Sequence, residues 1–199
     1  MYKVFFNRKY VFLTTKIVAH GDKNPLFYIK YTNQRLIISA LKSKKTDGIY
    51  LYHAKEEKLW KYMYKIFPLV EAAGGLVEHQ NGNFLFIYRN NKWDLPKGRI
   101  AKKEMIIDGA VREVIEETGV KDLIVKKKLN QTFHIFSRNG NYKLKKTFWY
   151  LMTTSYNGTL EPQLEEGITL AEWKNKEDFP FLIENAYENI KLLIEDAEL

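Results

Sequence analysis

Three glutamates in the middle of the chain have the spacing of a metal-binding cluster. Glu113, Glu116 and Glu117 stand at positions i, i+3 and i+4, so a helix would place their side chains on one face. Carboxylates this close repel one another, and a divalent cation would compensate by binding several of their oxygens. The adjacent Arg112 can hold one carboxylate through a two-pronged hydrogen-bonded pair. Acidic helix faces are also common on solvated surfaces, so the sequence around the cluster must decide.

The segment around the cluster has the pattern of an amphipathic helix over residues 103–118. Gly119 follows at the position where a glycine commonly ends a helix. The face opposite the acidic residues is apolar and is expected to pack inward, which would make the acidic face a fixed platform. This apolar stripe consists of Ile107, Ala110, Val111, Val114 and Ile115.

The spacing over residues 98–120 resembles the Nudix box, whose pattern is G-x5-E-x7-R-E-U-x-E-E-x-G-U with U a bulky aliphatic residue. Every fixed position is matched, in the order Gly98, Glu104, Arg112, Glu113, Val114, Glu116, Glu117, Gly119 and Val120. The resemblance extends over about residues 71–199. It implies an α+β fold, a Nudix-type α/β/α sandwich with a mixed β-sheet. It also implies hydrolysis of the pyrophosphate bond in nucleoside diphosphates linked to another moiety, with Mg²⁺ or Mn²⁺.

The resemblance also implies roles for individual residues. Glu113, Glu116 and Glu117 would be metal ligands, together with the backbone carbonyl of Gly98. Arg112 would orient a glutamate, and Glu104 would assist the metal or a bound water. Metal-bound water is a strong nucleophile toward a diphosphate, and a carboxylate can accept its proton. Many family members use an additional late carboxylate, for which Glu166 is preferred here over Glu161 and Glu165.

The loop before the box supplies candidate substrate-binding residues. Its Pro-Lys-Gly sequence, ending in Lys97 and Gly98, resembles that of members acting on dinucleoside polyphosphates, inositol pyrophosphates or capped RNA. Lys97 and Arg99 are predicted to bind phosphate, with Lys102 and Lys103 as further cations; a solvated basic loop is the alternative. Lys103 also departs from the glycine common at that position. Trp93 could stack on a base or anchor the core.

The charge distribution predicts two domains. Residues 1–67 contain 14 Lys and Arg against 4 Asp and Glu, a net charge of +10, whereas residues 68–199 contain 18 against 20, a net charge of −2. We therefore expect a small basic β-rich domain over 1–67, ending in a helix, and a Nudix hydrolase domain over 68–199. A basic domain favours polyanionic partners.

Residues 1–67 are predicted to form strands followed by one helix. Strands are expected at 1–6 and 10–15, at 26–31 and 36–41, and at 49–53, with a helix over 55–67 that Pro68 ends. The aromatic side chains of this region would either fill its core or stack on nucleic-acid bases. An exposed strand edge would be a route to a homodimer.

The rest of the chain is predicted to contain mainly strands around the box helix. A hairpin is expected from 73–78 and 84–88, with further strands at 123–137, 143–154 and 169–174. A final helix is expected over 176–197, burying Phe181, Ile183, Ala186, Tyr187, Ile190, Leu193 and Ile194.

Composition excludes several classes of protein. The chain has no cysteine, which excludes disulfides, zinc-thiolate sites and a cysteine nucleophile. Its four histidines do not have metal-ligand spacing, so a hard, oxygen-bound metal is expected. No apolar run approaches the ~20 residues of a membrane span. We therefore expect a cytoplasmic protein with no membrane partner.

Three hypotheses of function remain. The first is hydrolysis of a soluble nucleotide or similar polyphosphate, possibly a dinucleoside polyphosphate. The second is removal of pyrophosphate or a cap from RNA 5′ ends, with the basic region guiding the RNA. The third is a nucleotide-sensing regulator with a Nudix fold, which the complete set of carboxylates disfavours.

Overall fold

A computed structural model describes residues 1–197 of the chain. It contains β1 (Tyr2–Phe6), β2 (Lys9–Thr14), β3 (Leu26–Tyr28), α1 (Gln34–Lys42), β4 (Gly48–Tyr52) and α2 (Glu56–Ile66). These are followed by β5 (Leu69–His79), β6 (Phe84–Arg89), β7 (Lys92–Asp94), β8 (Lys97–Arg99), α3 (Ile106–Thr118), β9 (Ile124–Lys128), β10 (Thr132–Arg138), β11 (Asn141–Thr154), β12 (Ile168–Lys174), α4 (Phe179–Glu184) and α5 (Glu188–Asp196).

The chain forms two compact units. The first comprises residues 1–70 and 133–146, and the second comprises 71–132 and 147–199. The division differs from the boundary expected from charge at residues 133–146, which lie late in the sequence yet belong to the first unit. Whether 1–67 and 68–199 fold as independent domains stays a prediction.

The sheet of the first unit has the strand order β10-β1-β2-β4-β3. The expected hairpin of β1 and β2 is confirmed, with Val4 opposite Val11. Strand β4 runs parallel to both β2 and β3, because the connection that leads to it crosses over through helix α1. The buried side chains of both helices join one apolar core with this sheet, including Val4, Val11, Leu13, Ile37, Leu41, Ile49, Leu51, Leu59 and Met63.

The strand expected at 36–41 is wrong, because this segment lies within helix α1. The Asn33 side chain accepts a hydrogen bond from the Leu36 N–H at 3.0 Å and so caps the helix. Ile37, Ile38 and Leu41 are buried at helical spacing. The first unit therefore has two α-helices, of which the sequence pattern predicted only the second.

The second unit is an α/β/α sandwich, which confirms the predicted fold. Its sheet has the order β12-β6-β5-β11, with β7 paired to β6, β8 to β5 and β9 to β11. Alternating residues feed two cores: Leu76 packs with α4 and α5, whereas Val77 packs with α3. In β6, Phe86 likewise packs on the side of α4 and α5, and Leu85 packs on the side of α3.

Several features predicted for residues after position 68 differ in the structure. The single strand at 123–137 is two strands, β9 and β10, and the single helix at 176–197 is divided into α4 and α5. Phe181, expected to be buried, is 76% exposed, and Ile115 is also exposed. Helix α3 begins at Ile106 because Lys103 has a positive φ of 67°.

Among the described residues, no helix is long and apolar enough to cross a bilayer.

Candidate active site

Helix α3 carries the three glutamates of the candidate site at different depths. Its apolar face, with Ala110 and Val114, packs against the sheet, and Gly119 ends it with a φ of 70°. Glu117 is buried, at 1% exposure. The Glu113 side chain is 14% exposed and that of Glu116 is 48% exposed. The glutamates thus form a series from the interior to the solvent along one side of the helix.

The short strand β8 lies against two of these carboxylates. A Cβ at Gly98 would be only 1.6 Å from Glu113 Oε2, so the carboxylate occupies the space that any other residue would fill. The backbone N–H of Lys97 donates to Glu117 Oε2 at 2.7 Å. Because β8 pairs with β5, Gly98 opposite Ala73, the sheet holds both contacts in place.

Arg112 ties the loop before α3 to the glutamates. Its Nε and Nη2 donate to the two oxygens of Glu104 at 2.7 and 2.9 Å, the two-pronged geometry expected for this pair. Its Nη1 donates to Glu113 at 2.8 Å and to Glu116 at 2.7 Å. Hydrogen bonds from Arg112, followed by one from the Ala101 N–H, lower the pKa of Glu104 to about 2. Glu104 is thereby held as a permanent anion that anchors Arg112.

Two charged residues not singled out from the sequence lie around Glu117. An Arg89 nitrogen is 3.6 Å from a Glu117 oxygen, and another is 3.6 Å from Asp94. Asp94 is buried and also accepts from the Lys97 ammonium. The sequence contained one signal for them: each is a charged residue at the end of a strand, Arg89 in β6 and Asp94 in β7. Arg89 and Asp94 fix the surroundings of the deepest glutamate.

Burial controls the electrostatics of the cluster. Desolvation raises the pKa of Glu117 to about 7, although the Lys97 side chain and backbone N–H oppose this effect. Desolvation also raises the pKa of Glu113, against the opposing hydrogen bonds from Arg112. The two inner carboxylates therefore lack full charge compensation from the protein itself.

The residues expected to bind substrate have different environments. Lys97 is 5% exposed, and its ammonium binds Asp94 and, at 3.3 Å, the Leu95 carbonyl, so it stabilises the loop. Arg99, by contrast, is exposed at the end of β8. Trp93 lies half-buried with the Lys174 ammonium 4.6 Å from its ring centroid and Tyr88 packed edge-on at 5.0 Å. These contacts match the anchoring alternative for Trp93.

Glu166, the preferred late carboxylate, contacts a residue that surrounds the cluster. Its side chain is 59% exposed, and its Oε2 is 3.9 Å from Arg89. Its charge also contributes to the raised pKa of Glu113. Glu161 instead contacts the end of α3, where its backbone N–H donates to the Thr118 carbonyl at 2.8 Å.

The site fits a hard divalent cation by its donor set and its shape. All candidate ligands are oxygens, and the missing side chain at Gly98 leaves room for the Glu113 carboxylate beside the backbone. Within residues 1–197, no three acidic or histidine side chains are already grouped as a metal centre. Arg112 bonds one oxygen of Glu113 and one oxygen of Glu116, so the second oxygen of each carboxylate can serve as a metal ligand.

The α/β/α sandwich, with Glu113 of α3 lying against Gly98 of β8, is the arrangement of a Nudix-type domain. The family model of the NUDIX domain matches residues 68–196. The chain therefore belongs to the Nudix family.

Solved structures with the same fold share little sequence with this chain. The structure of a Caenorhabditis elegans Ap4A hydrolase binary complex is 20% identical, with a TM-score of 0.50, covering 65% of this chain and 95% of that chain. A MutT NUDIX hydrolase from Burkholderia pseudomallei is 20% identical, with a TM-score of 0.51, covering 64% and 97%. These similarities show the fold.

A curated relative is the mRNA decapping complex subunit 2 of Schizosaccharomyces pombe. It is 31% identical over 99 residues, which are 50% of this chain. The match spans only 13% of the length of the yeast protein.

Proposed function

We propose that this enzyme hydrolyses a phosphate–phosphate bond in a nucleoside diphosphate-linked or polyphosphate compound with the help of Mg²⁺ or Mn²⁺. The observation that carries the proposal is the contact of two inner carboxylates with one strand, Glu113 against Gly98 and Glu117 against the Lys97 N–H. Burial raises the pKa of both carboxylates, which supports a site that accepts a cation. A cation would stabilise their charged forms.

The metal would be held by Glu113, Glu116, Glu117 and the Gly98 carbonyl, and when bound would neutralise the diphosphate and acidify a bound water. Arg112, fixed by Glu104, orients Glu113 and Glu116. The exposed carboxylate of Glu166 accepts the proton of the attacking water. The water oxygen forms a bond to one phosphorus, and the bridging phosphate oxygen leaves with the electron pair of the broken bond. Arg99 provides a cation for the substrate phosphates.

A substrate panel with controlled metal content tests the proposal. Protein freed of metal by EDTA should release no product from diadenosine tetraphosphate, ADP-ribose, a nucleoside triphosphate or an inositol pyrophosphate. Addition of Mg²⁺ or Mn²⁺ should restore hydrolysis of at least one compound, measured as product by chromatography. Full activity in EDTA would contradict metal dependence. Inactivity on the whole panel with either metal would contradict the proposed soluble substrates.

A second candidate substrate is the 5′ end of RNA. It is favoured by the 31% identity to the yeast decapping subunit and by the concentration of basic residues in the first unit. The same type of phosphate–phosphate bond would be hydrolysed. The RNA chain would be attached either to the phosphate that the water attacks or to the phosphate that leaves. The two candidates are separated by kcat/KM for triphosphorylated or capped RNA against that for diadenosine tetraphosphate in the same Mg²⁺ buffer.

A further inference from the structure

The sheet of the first unit has two chemically different faces. Strand register places the aliphatic side chains of β1, β2 and β4 on the face that α1 and α2 cover. The same register places aromatic side chains on the opposite face, in every strand of the unit's sheet. This aromatic face consists of Phe5, Tyr10, Phe12, Tyr28, Tyr50, Tyr52, His134 and Phe136, together with Lys3.

The rings of the aromatic face form a partly exposed, stacked row. Tyr10 stacks on Phe12 with a centroid distance of 5.8 Å, and Phe12 stacks on Tyr50 at 5.2 Å. Tyr28, which is 38% exposed, packs on Tyr52 at 5.7 Å. Tyr10, Phe12, Tyr50 and Tyr52 are half-buried, whereas Phe5 on the same face is only 3% exposed. The aliphatic side chains at the centre of the opposite face, such as Val11 and Leu51, are inaccessible. The sequence alone could not assign these rings to core or surface, and here the register does so.

Cations accompany the rings. The Lys3 ammonium lies 4.9 Å from the Tyr10 centroid, and the Lys145 ammonium lies 5.3 Å from that of Phe136. The whole first unit contains 18 Lys and Arg against 4 Asp and Glu, a net charge of +14, whereas the second contains 14 against 20, a net charge of −6. The unit that bears the aromatic face therefore carries a net positive charge, whereas the other unit is net negative.

We propose that the aromatic face binds a single-stranded segment of RNA. Rings in a row stack on successive unpaired bases, and the surrounding cations bind the phosphates between them. A duplex would offer its phosphates but not the faces of its bases, and an uncharged protein partner would not need a net charge of +14. The choice of RNA over DNA rests on the RNA 5′-end candidate under the proposed function.

Binding is tested with the full chain and a short oligouridine of about 12 nucleotides, a length that a sheet of this size can contact. The RNA carries a 5′-hydroxyl and a 3′ fluorophore, and the buffer contains EDTA, so no hydrolysis is required. Fluorescence anisotropy should show saturable binding to the RNA, with weaker binding to the matching oligothymidine and to duplex RNA. Absence of binding, equal binding to the duplex, or tighter binding to DNA would overturn the proposal.

Substitutions on the aromatic face separate stacking from general electrostatic attraction. Phe12→Leu and Tyr50→Leu remove a ring and keep apolar volume, and each should weaken binding about 5-fold to 100-fold. Phe181→Leu removes an exposed ring of the second unit and should leave the affinity unchanged. Unchanged affinity in both Leu variants of the aromatic face, with circular dichroism like that of the parent, would refute stacking.

A charge variant covers the case in which a ring variant does not fold. Lys3→Gln keeps every ring of the row and should make the slope of log affinity against log salt shallower by about 0.7. An unchanged slope would contradict a phosphate contact at the aromatic face. Since binding needs no turnover, protein that binds RNA but hydrolyses no substrate would retain this inference and lose the catalytic proposal. Protein that hydrolyses but does not bind would do the reverse.

Discussion

The glycine at position 98 illustrates how one residue shapes the site. Its Cβ position lies 1.6 Å from Glu113 Oε2, so only a residue without a side chain lets the carboxylate reach the backbone of β8. Gly109 has a related role, because a Cβ there would lie 3.0 Å from Glu104 Oε2. Two glycines thus make room for two carboxylates, one at the proposed metal site and one that anchors Arg112.

Gly98→Ala should therefore displace Glu113 and lower kcat about 100-fold, the typical cost of a ligand misplaced by roughly 1 Å. Initial rates at saturating substrate and Mg²⁺ measure this effect. Gly21→Ala is the matched control, since a Cβ at Gly21 meets no atom within 4 Å, and it should retain parental activity. Equal activity of the two variants would show that Glu113 need not contact β8.

Removing the charge of Glu117 tests the proposed metal ligand directly. Glu117→Gln keeps the shape and an oxygen that can accept from the Lys97 N–H, so the fold should persist while activity falls by orders of magnitude. Glu116→Gln should act in the same direction. Asp108→Asn neutralises an exposed carboxylate in the first turn of the same helix and should have little effect. Activity close to parental in Glu117→Gln would remove this residue from the metal site.

Individual hydrogen bonds determine where two of the helices lie, which the pattern of apolar residues does not specify. The segment 36–41 has the apolar residues of a buried strand, but the Asn33 cap and the burial of Ile37, Ile38 and Leu41 make it a helix. Helix α3 begins later than its periodicity suggested, because Lys103 takes a left-handed conformation and Glu104 is held by Arg112. Helix ends depend on individual hydrogen bonds, which an apolar period does not contain.

Asn33→Ala should destabilise the protein by about 1 kcal/mol through loss of the α1 cap. For a chain of this size, that corresponds to a fall in Tm of roughly 2–4 °C. Asn33→Asp can still accept the Leu36 N–H and should melt close to the parent. The comparison by thermal circular dichroism would contradict the cap if Ala and Asp variants melted together.

At the scale of the whole molecule, the first unit is built from two distant parts of the sequence. Phe133, Ile135 and Leu144 are buried in the core that contains Val4 and Val11. The charge boundary near residue 67 could not reveal this, because the segment 133–146 joins the unit through strand pairing and burial.

Deleting residues 1–70 alone should therefore yield aggregated protein, because Phe133, Ile135 and Leu144 would be left exposed. Deleting 1–70 and also replacing 133–146 with a short Gly-Ser linker should restore a soluble second unit. The linker is feasible because Thr132 and Trp149 are hydrogen-bonded at 2.9 Å, which places the two ends close together. Size-exclusion chromatography distinguishes the two products, and a soluble single deletion would show that the segment does not need its partners.

Local spacing in the sequence is sufficient to identify the family. The pattern over residues 98–120 is nearly contiguous, so helical periodicity alone put Glu113, Glu116 and Glu117 on one face, beside Arg112. The hairpin of β5 and β6 and most strands of the second unit were also predictable, because alternation and turn residues are local signals.

The residues that surround those glutamates, and the division of charge between the two units, follow from the fold and not from local spacing. Arg89 of β6 contacts Glu117, and Asp94 of β7 pairs with both Arg89 and the Lys97 ammonium. The assignment of 133–146 to the first unit, and of its rings to one sheet face, follows from pairing between distant strands. Such pairing depends on burial gained across the whole chain, and local spacing does not contain it.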